Sequence, residues 1–289
     1  MSTAPAIPGE PSVRIIEPRH PGVFERIAEF WRYRTMTVYF GRTMLEKLYR
    51  RTWLGWLWIP LRPLLAVGPA AFVFGGLLGV SSGDVPYPLF FLVSQAAWEL
   101  FSLTAFWGTR SIELGRRVLR KMYVPRLTCL FGSLVPSGVI FLVYVVMAAI
   151  AFTVYGLADG RMYLDLGVHT LATFAGMALL IALALSIACF TSVYGAQARD
   201  VRFTLGYVLG FWMFLSPVIY PMSEVPESYR TLTSLNPATA PIELFRIGLF
   251  GEGVIPTTAL VSCFVTIAMI GTLGLWFFNR SEVAALDAV

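Results

Sequence analysis

Six apolar runs, at residues 54–79, 87–108, 127–155, 168–195, 203–221 and 255–278, are each long enough to cross a bilayer. Their repetition constrains the chain more than any motif does. Crossing about 30 Å of hydrocarbon takes about 20 residues of helix, and a backbone in lipid must satisfy its own hydrogen bonds. The expected fold is therefore all-α and integral to the membrane. It has six transmembrane helices, an N-terminal amphipathic interfacial helix and a re-entrant outer helix pair before the last span. Composition agrees: 57% hydrophobic against 13% charged residues falls far below the roughly 25% charged content of soluble folds. A soluble enzyme, a nucleic-acid module and a disordered chain are excluded on that ground. The net charge of +5 does not point to nucleic acid, because the cations lie at the membrane edges.

Their distribution orients the chain. The N-terminal segment, the second and fourth loops and the C-terminus together hold eighteen Lys and Arg residues, among them Arg42, Lys47, Arg116, Arg117, Arg120, Lys121, Arg199, Arg202 and Arg280. The remaining loops hold three, Arg161, Arg230 and Arg246. The positive-inside bias then places both termini in the cytoplasm. No short basic start followed by an apolar core marks a signal peptide in the first 30 residues.

The domain reading follows from this. Residues 1–23 form a cytoplasmic tail, 24–51 the interfacial helix, 54–279 the six-span domain and 280–289 the cytoplasmic C-terminus. Residues 24–51 mix Ile27, Phe30, Trp31, Val38, Leu45 and Leu48 with seven cations, the pattern of a helix in the headgroup plane. A solvated helix whose charges only set topology is the alternative, and Gly41 is a possible break. Residues 224–252 are too polar and proline-broken to span, yet contain IELFRIGLF. They are expected as the re-entrant or interfacial outer pair, with an ordinary external loop as the alternative.

Catalytic chemistry is sparse. The P-loop pattern G-x-x-x-x-G-K-[ST] is absent, and the only lysines are Lys47 and Lys121. Two histidines, His20 and His169, and three cysteines in apolar runs, Cys129, Cys189 and Cys263, compose neither a metal set nor a disulfide framework. The chain is expected to bind no cofactor and to catalyse no reaction.

Two ionisable residues fall inside spans, Arg62 and Glu99. Each sits about 13 Å from the cytoplasmic edge of its run, at 1.5 Å per residue. Charge at that depth is costly and points to function. Equal depth on adjacent helices allows an ion pair; alternatively each faces an aqueous path. Aromatic residues cluster at Trp53, Trp56 and Trp58, at Trp98, Phe101, Phe106 and Trp107, and at Phe211, Trp212, Phe214 and Tyr220. They serve either as interfacial belts or as stacking faces for sugar rings, and periodicity does not choose.

Several stretches carry a resemblance to a known family. They are RTWLGWLWIPLRPLL, VPYPLFFLVSQAAWELF, RRVLRKMYVPRL, ARDVRFTLGYVLGFWMFLSPVIYPMSEVPESYR and LNPATAPIELFR, between about residues 40 and 280. They are similar to the transmembrane permease subunits of ATP-binding-cassette exporters of O-antigen, capsule or teichoic-acid polysaccharide. The departures are Arg62 and Glu99, where the family more often looks like Gln and a small hydroxylated residue, and Ala198, where a tyrosine is common before R-D-V.

The resemblance implies a homodimer in the bacterial inner membrane, working with two copies of a separate ATPase that holds ATP and Mg and moving lipid-linked polysaccharide. It implies ATPase-coupling segments at Arg116, Arg117, Arg120 and Lys121 and at Arg199, Asp200 and Arg202. The implied gate residues are Trp31 and Tyr39 inside and Pro217, Pro221, Asn236, Pro237, Glu243 and Arg246 outside, and Glu243 and Arg246 are spaced to pair at i, i+3. The implied path, walled by spans one and five, takes in Trp56, Arg62, Glu99, Phe211, Trp212 and Tyr220. A drug or small-lipid permease of the same wider class is the alternative, and a membrane-embedded enzyme a more distant one.

Overall fold

The computed structural model describes residues 31–49, 52–121, 124–253 and 255–287. The expected tail at 1–23 and the first turns of the interfacial helix at 24–30 lie outside the described residues. The regular elements of the described residues are helices: α1 (Arg34–Tyr49), α2 (Trp58–Ala70), α3 (Tyr87–Thr109), α4 (Ser111–Leu119), α5 (Arg126–Phe131), α6 (Leu134–Asp159), α7 (Thr170–Gln197), α8 (Arg199–Leu215), α9 (Glu227–Leu235), α10 (Thr239–Phe250) and α11 (Thr257–Asp287). Among the described residues there is no strand, only an isolated bridge between Ser82 and Asp84.

Proline and glycine set many of the boundaries. Pro86, Pro125 and Pro226 immediately precede α3, α5 and α9, where a missing amide proton costs nothing. Gly160, at φ 63°, closes α6 in the left-handed conformation that glycine adopts without strain. Within α2, Pro63 and Pro69 remove two amide donors. The helix then widens into π-helical turns over Ala71–Leu77. The apolar part of α11 ends at Phe278, as expected for the last span, while the helix itself continues to Asp287.

Five stretches are long and apolar enough to cross a membrane: Gly55–Leu77, Tyr87–Thr109, Arg126–Asp159, Thr170–Gln197 and Thr257–Phe278. The run expected as the fifth of six spans is occupied by α8. It has 17 residues, about 25 Å at 1.5 Å per residue. Ser216, extended because Pro217 follows it, ends the helix there.

The core is organised around α3, which is buried over nearly its whole length and packs on α6, α7, α8 and α10. Small residues on the contacting helices, Ala97 and Ala105 on α3 and Ala184 and Ala188 on α7, are buried. In lipid, close approach of this kind supplies packing that the hydrophobic effect does not. α2 buries only Ile59, Pro63 and Val67 along one stripe.

α1 corrects one expectation. Gly41 does not break the helix; it is the point of closest contact with the α5–α6 junction. A Cβ at Gly41 would collide with the Val135 side chain and with the Gly132 carbonyl oxygen. Phe40, Met44 and Tyr49 complete the buried face, while Val38, Tyr39, Arg42 and Lys47 are exposed on the other side.

Candidate functional site

The two intramembrane charges meet. Arg62 Nη2 on α2 donates to Glu99 Oε2 on α3 at 3.3 Å, and Gln95 Nε2, one turn back on α3, donates to Glu99 Oε1 at 3.4 Å. Glu99 is buried, whereas 40% of the Arg62 side chain stays exposed. Tyr49 and Tyr144 lie within electrostatic reach of the pair. The Tyr49 hydroxyl oxygen is buried without a hydrogen-bond partner, and the Tyr144 hydroxyl lies beside the Gln95 amide. Trp56 is exposed, its ring 5.8 Å from that of Tyr49. Gln95, Tyr49 and Tyr144 escaped sequence reasoning, although the Gln95–Glu99 spacing of i, i+4 was legible.

On α8 the aromatic residues separate into two sets. Phe203, Tyr207, Phe211 and Phe214 follow one another at intervals of four, four and three along one face, and each is between 55% and 80% exposed. Phe203, Tyr207 and Phe214 were not proposed for the path, though their spacing was readable. Trp212 lies on the opposite side, edge-on to Phe101 at 5.3 Å and to Trp98 at 6.3 Å. Its Nε1 donates to Asn236 Oδ1 at 2.9 Å.

Asn236 is the corner piece of the outer segment. Its Nδ2 donates to Leu215 O at 3.1 Å and to Ser216 Oγ at 2.9 Å, so the side chain supplies a partner to the carbonyl end of α8. Its Oδ1 also accepts from the Ala238 amide at 3.0 Å. Trp212, Tyr220, Tyr229, Leu232, Asn236 and Pro237 line a cavity of about 750 Å³. Tyr220 donates to Phe214 O at 3.3 Å.

Deeper in the segment, Glu243 and Arg246 on α10 form a buried ion pair. Arg246 Nη1 also donates to Pro217 O at 2.9 Å and to Ser94 Oγ at 3.3 Å, and its guanidinium lies 4.6 Å from the Phe90 ring. Glu243 Oε1 accepts from the Met222 amide at 3.3 Å. One pair therefore ties α10, α3 and the stretch after α8 together. The pair also forms part of the lining of a second cavity of about 980 Å³, with Asp84, Arg161, Tyr163 and Arg230 around it. Pro221 borders that cavity as well.

At the other end of the bundle, Arg116, Arg117, Arg120 and Lys121 lie exposed on and just after α4, and Arg199 and Asp200 lie exposed at the start of α8. Arg202 differs from them: it turns inward and donates from Nη1 to Gly195 O, the carbonyl end of α7, at 2.6 Å. Arg110, which sequence reasoning passed over, donates from Nη2 to Arg202 O at 3.3 Å and stacks 4.1 Å from the Phe106 ring. Burial, then the neighbouring charge of Arg202, lowers the pKa of Arg110 below the usual arginine range, with Glu113 opposing. Trp31 and Tyr39 are exposed on and just before α1, with Arg34 5.5 Å over the Trp31 ring.

A helical, multi-pass bundle with an aromatic face left open beside its core, and charged segments gathered at one end, is a polytopic membrane protein of the transport type. Residues 35–250 match the family described as ABC-2 type transporter, and the chain belongs to that family. It is similar to the O-antigen export system permease protein RfbA of Myxococcus xanthus, 26% identical over 216 residues, 73% of this chain and 78% of that protein. It is also similar to an RfbA of Klebsiella pneumoniae, 23% identical over 82% of this chain and 88% of the relative. The polysialic acid transport protein KpsM of Escherichia coli is 24% identical over 76% of this chain and 86% of its own length.

Proposed function

We propose that this chain is the transmembrane subunit of an ATP-driven exporter that carries lipid-linked polysaccharide from the cytoplasm across the bacterial inner membrane. It works as a homodimer with two copies of a separate ATPase, which holds ATP and Mg. The observation that carries the reading is the exposed stripe Phe203, Tyr207, Phe211 and Phe214, taken with the names of the relatives. Ring faces in a row stack on the C–H faces of successive sugars without demanding one sugar identity. By contrast, the exposed face of α6 carries Leu142, Val145, Val146, Ile150 and Val154, residues suited to lipid chains.

In this reading α8 is the sixth crossing, with both termini cytoplasmic, and α9 and α10 are the re-entrant outer pair. Hydrogen bonding of α10 beside the first turn of α7, where Thr173 donates to Phe245 O at 3.3 Å, supports that depth. α2 and α8 wall the path. A guanidinium exposed at Arg62's depth is costly against lipid, so the open flank of Arg62 faces water and substrate on the side of Tyr49 and Trp56, with Tyr220 farther along the path. The ATPases close on ATP and press on α4 and the start of α8, through Arg116, Arg117, Arg120, Lys121, Arg199 and Asp200. α1, with Trp31 and Tyr39, borders the inner entrance. The corner built by Pro217, Pro221, Asn236 and Pro237, pinned by Glu243 and Arg246, forms the outer gate.

The deciding experiment depletes the protein in its host and follows polysaccharide on both sides of the membrane. Loss at the surface with accumulation of lipid-linked polymer inside is expected; unchanged polymer on both sides overturns the reading in favour of a small-molecule permease. With Tyr207 and Phe211 both changed to Leu, export is expected to fall about tenfold at unchanged protein level, the scale of two lost stacking contacts at about 0.7 kcal/mol each.

A further inference from the structure

The two ATPase-facing segments are far apart in sequence, yet the structure joins them through a short chain of contacts. Arg202, on the first turn of α8, holds the carbonyl end of α7 through Gly195 O at 2.6 Å. Arg110, directly between α3 and α4, holds the backbone of Arg202 itself at 3.3 Å. The Thr109 and Thr191 hydroxyls hydrogen-bond across α3 and α7 one residue before this link. Gly195 lies so close that a Cβ there would sit 2.7 Å from the Thr109 carbonyl oxygen, so α3 and α7 touch backbone to backbone. Four helix ends meet within a few residues, and the guanidinium of Arg110 bridges α3 and α4 on one side to α7 and α8 on the other. Its guanidinium lies 4.1 Å from the Phe106 ring, and its Nε is buried with no partner, so the link to α8 runs through Nη2.

We propose that Arg110 is a positioning residue that welds α4 to the start of α8, so that the two ATPase-facing segments of one protomer move as a single body and deliver each ATP-driven displacement to α3 and the aromatic face of α8 together. The inference rests on the export reading above and adds to it a cause for coupling. Hydrogen bonds from a charged donor to a carbonyl are stronger and more directional than neutral ones, and a link of two such bonds in series resists shear where an apolar contact slides. Without Arg110 the α4 end still meets the ATPase, but its motion is no longer tied to α8. ATP is then consumed without moving substrate.

The test uses the full complex with its ATPase, reconstituted in lipid. Arg110→Met keeps an unbranched side chain of similar length and removes the charge and the donors; Arg110→Lys keeps the charge and an ammonium donor group. The expected result for Arg110→Met is assembly and ATP hydrolysis within about twofold of wild type, with polysaccharide exported per ATP down about tenfold, the scale of one charge-assisted hydrogen bond. Arg110→Lys is expected to recover part of that ratio. Spin labels at Val118→Cys and Ala198→Cys should keep one narrow separation through the ATP cycle in the wild-type background and a broadened one with Arg110→Met. Export and hydrolysis falling in parallel, or an unchanged ratio with a narrow separation, overturns the proposal. Failure of the wild-type complex to move polysaccharide at all would strike the export reading instead, and the label separations would still report on the weld.

Discussion

The two charged pairs within the bundle share a composition, one arginine and one glutamate, and differ in almost everything else. Glu243 and Arg246 are buried on both sides, and their pairing is supplemented by Pro217 O, Ser94 Oγ, the Met222 amide and the Phe90 ring. Arg62 and Glu99 make one contact at 3.3 Å, with Arg62 half open and the Tyr49 hydroxyl unpartnered nearby. A low-dielectric interior strengthens a complete network and penalises an incomplete one. The first pair joins three parts of the fold through several partners, and the second rests on one contact and a half-open guanidinium.

Breaking the outer pair is expected to have the largest effect. Glu243→Gln leaves Arg246 buried without its counter-charge, and breaking a buried pair in this way costs about 3–5 kcal/mol. Thermal unfolding of the purified protein in lipid nanodiscs should show a marked loss, and Arg246→Met a comparable one. A loss no greater than that of a surface substitution would remove the distinction between the two pairs.

The inner pair should be measured by a double-mutant cycle with Arg62→Gln and Glu99→Gln. A coupling of about 1 kcal/mol is expected, in line with polar pairs between membrane helices. Equal cost of Glu99→Gln with and without Arg62 would mean that the two charges do not support each other. Tyr49→Phe sharpens the contrast at its smallest end. Its hydroxyl is buried without a partner, so removal should be neutral or should stabilise by up to about 1 kcal/mol. A clear loss in the same unfolding assay would show that a bound water completes the cluster.

Much of this was legible beforehand, and for identifiable reasons. Equal depth on neighbouring runs brought Arg62 and Glu99 into register, because rise per residue is the same in every helix. The i, i+3 spacing of Glu243 and Arg246 announced a pair, but not its other partners. Trp212 and Phe211 are adjacent in sequence and looked equivalent; one packs on α3 and holds Asn236, the other stays open. Arg202 stood among cations counted for an outward-facing surface, and it turns inward to cap α7. Gly41 read as a break because glycine weakens a helix, and it is instead where α1 meets the α5–α6 junction.

The sequence by itself determined an all-helical membrane protein with its cations gathered in alternate loops and no nucleotide-binding P-loop, since apolar length and charge placement are properties of the chain read in order. Only the tertiary structure decided which apolar face meets another helix and which stays exposed. In a membrane protein lipid-facing and protein-facing surfaces are both apolar, so hydropathy cannot separate them. The side that α3 buries, the stripe that α8 leaves bare and the carbonyls that Arg110 and Arg202 reach are set by helix against helix.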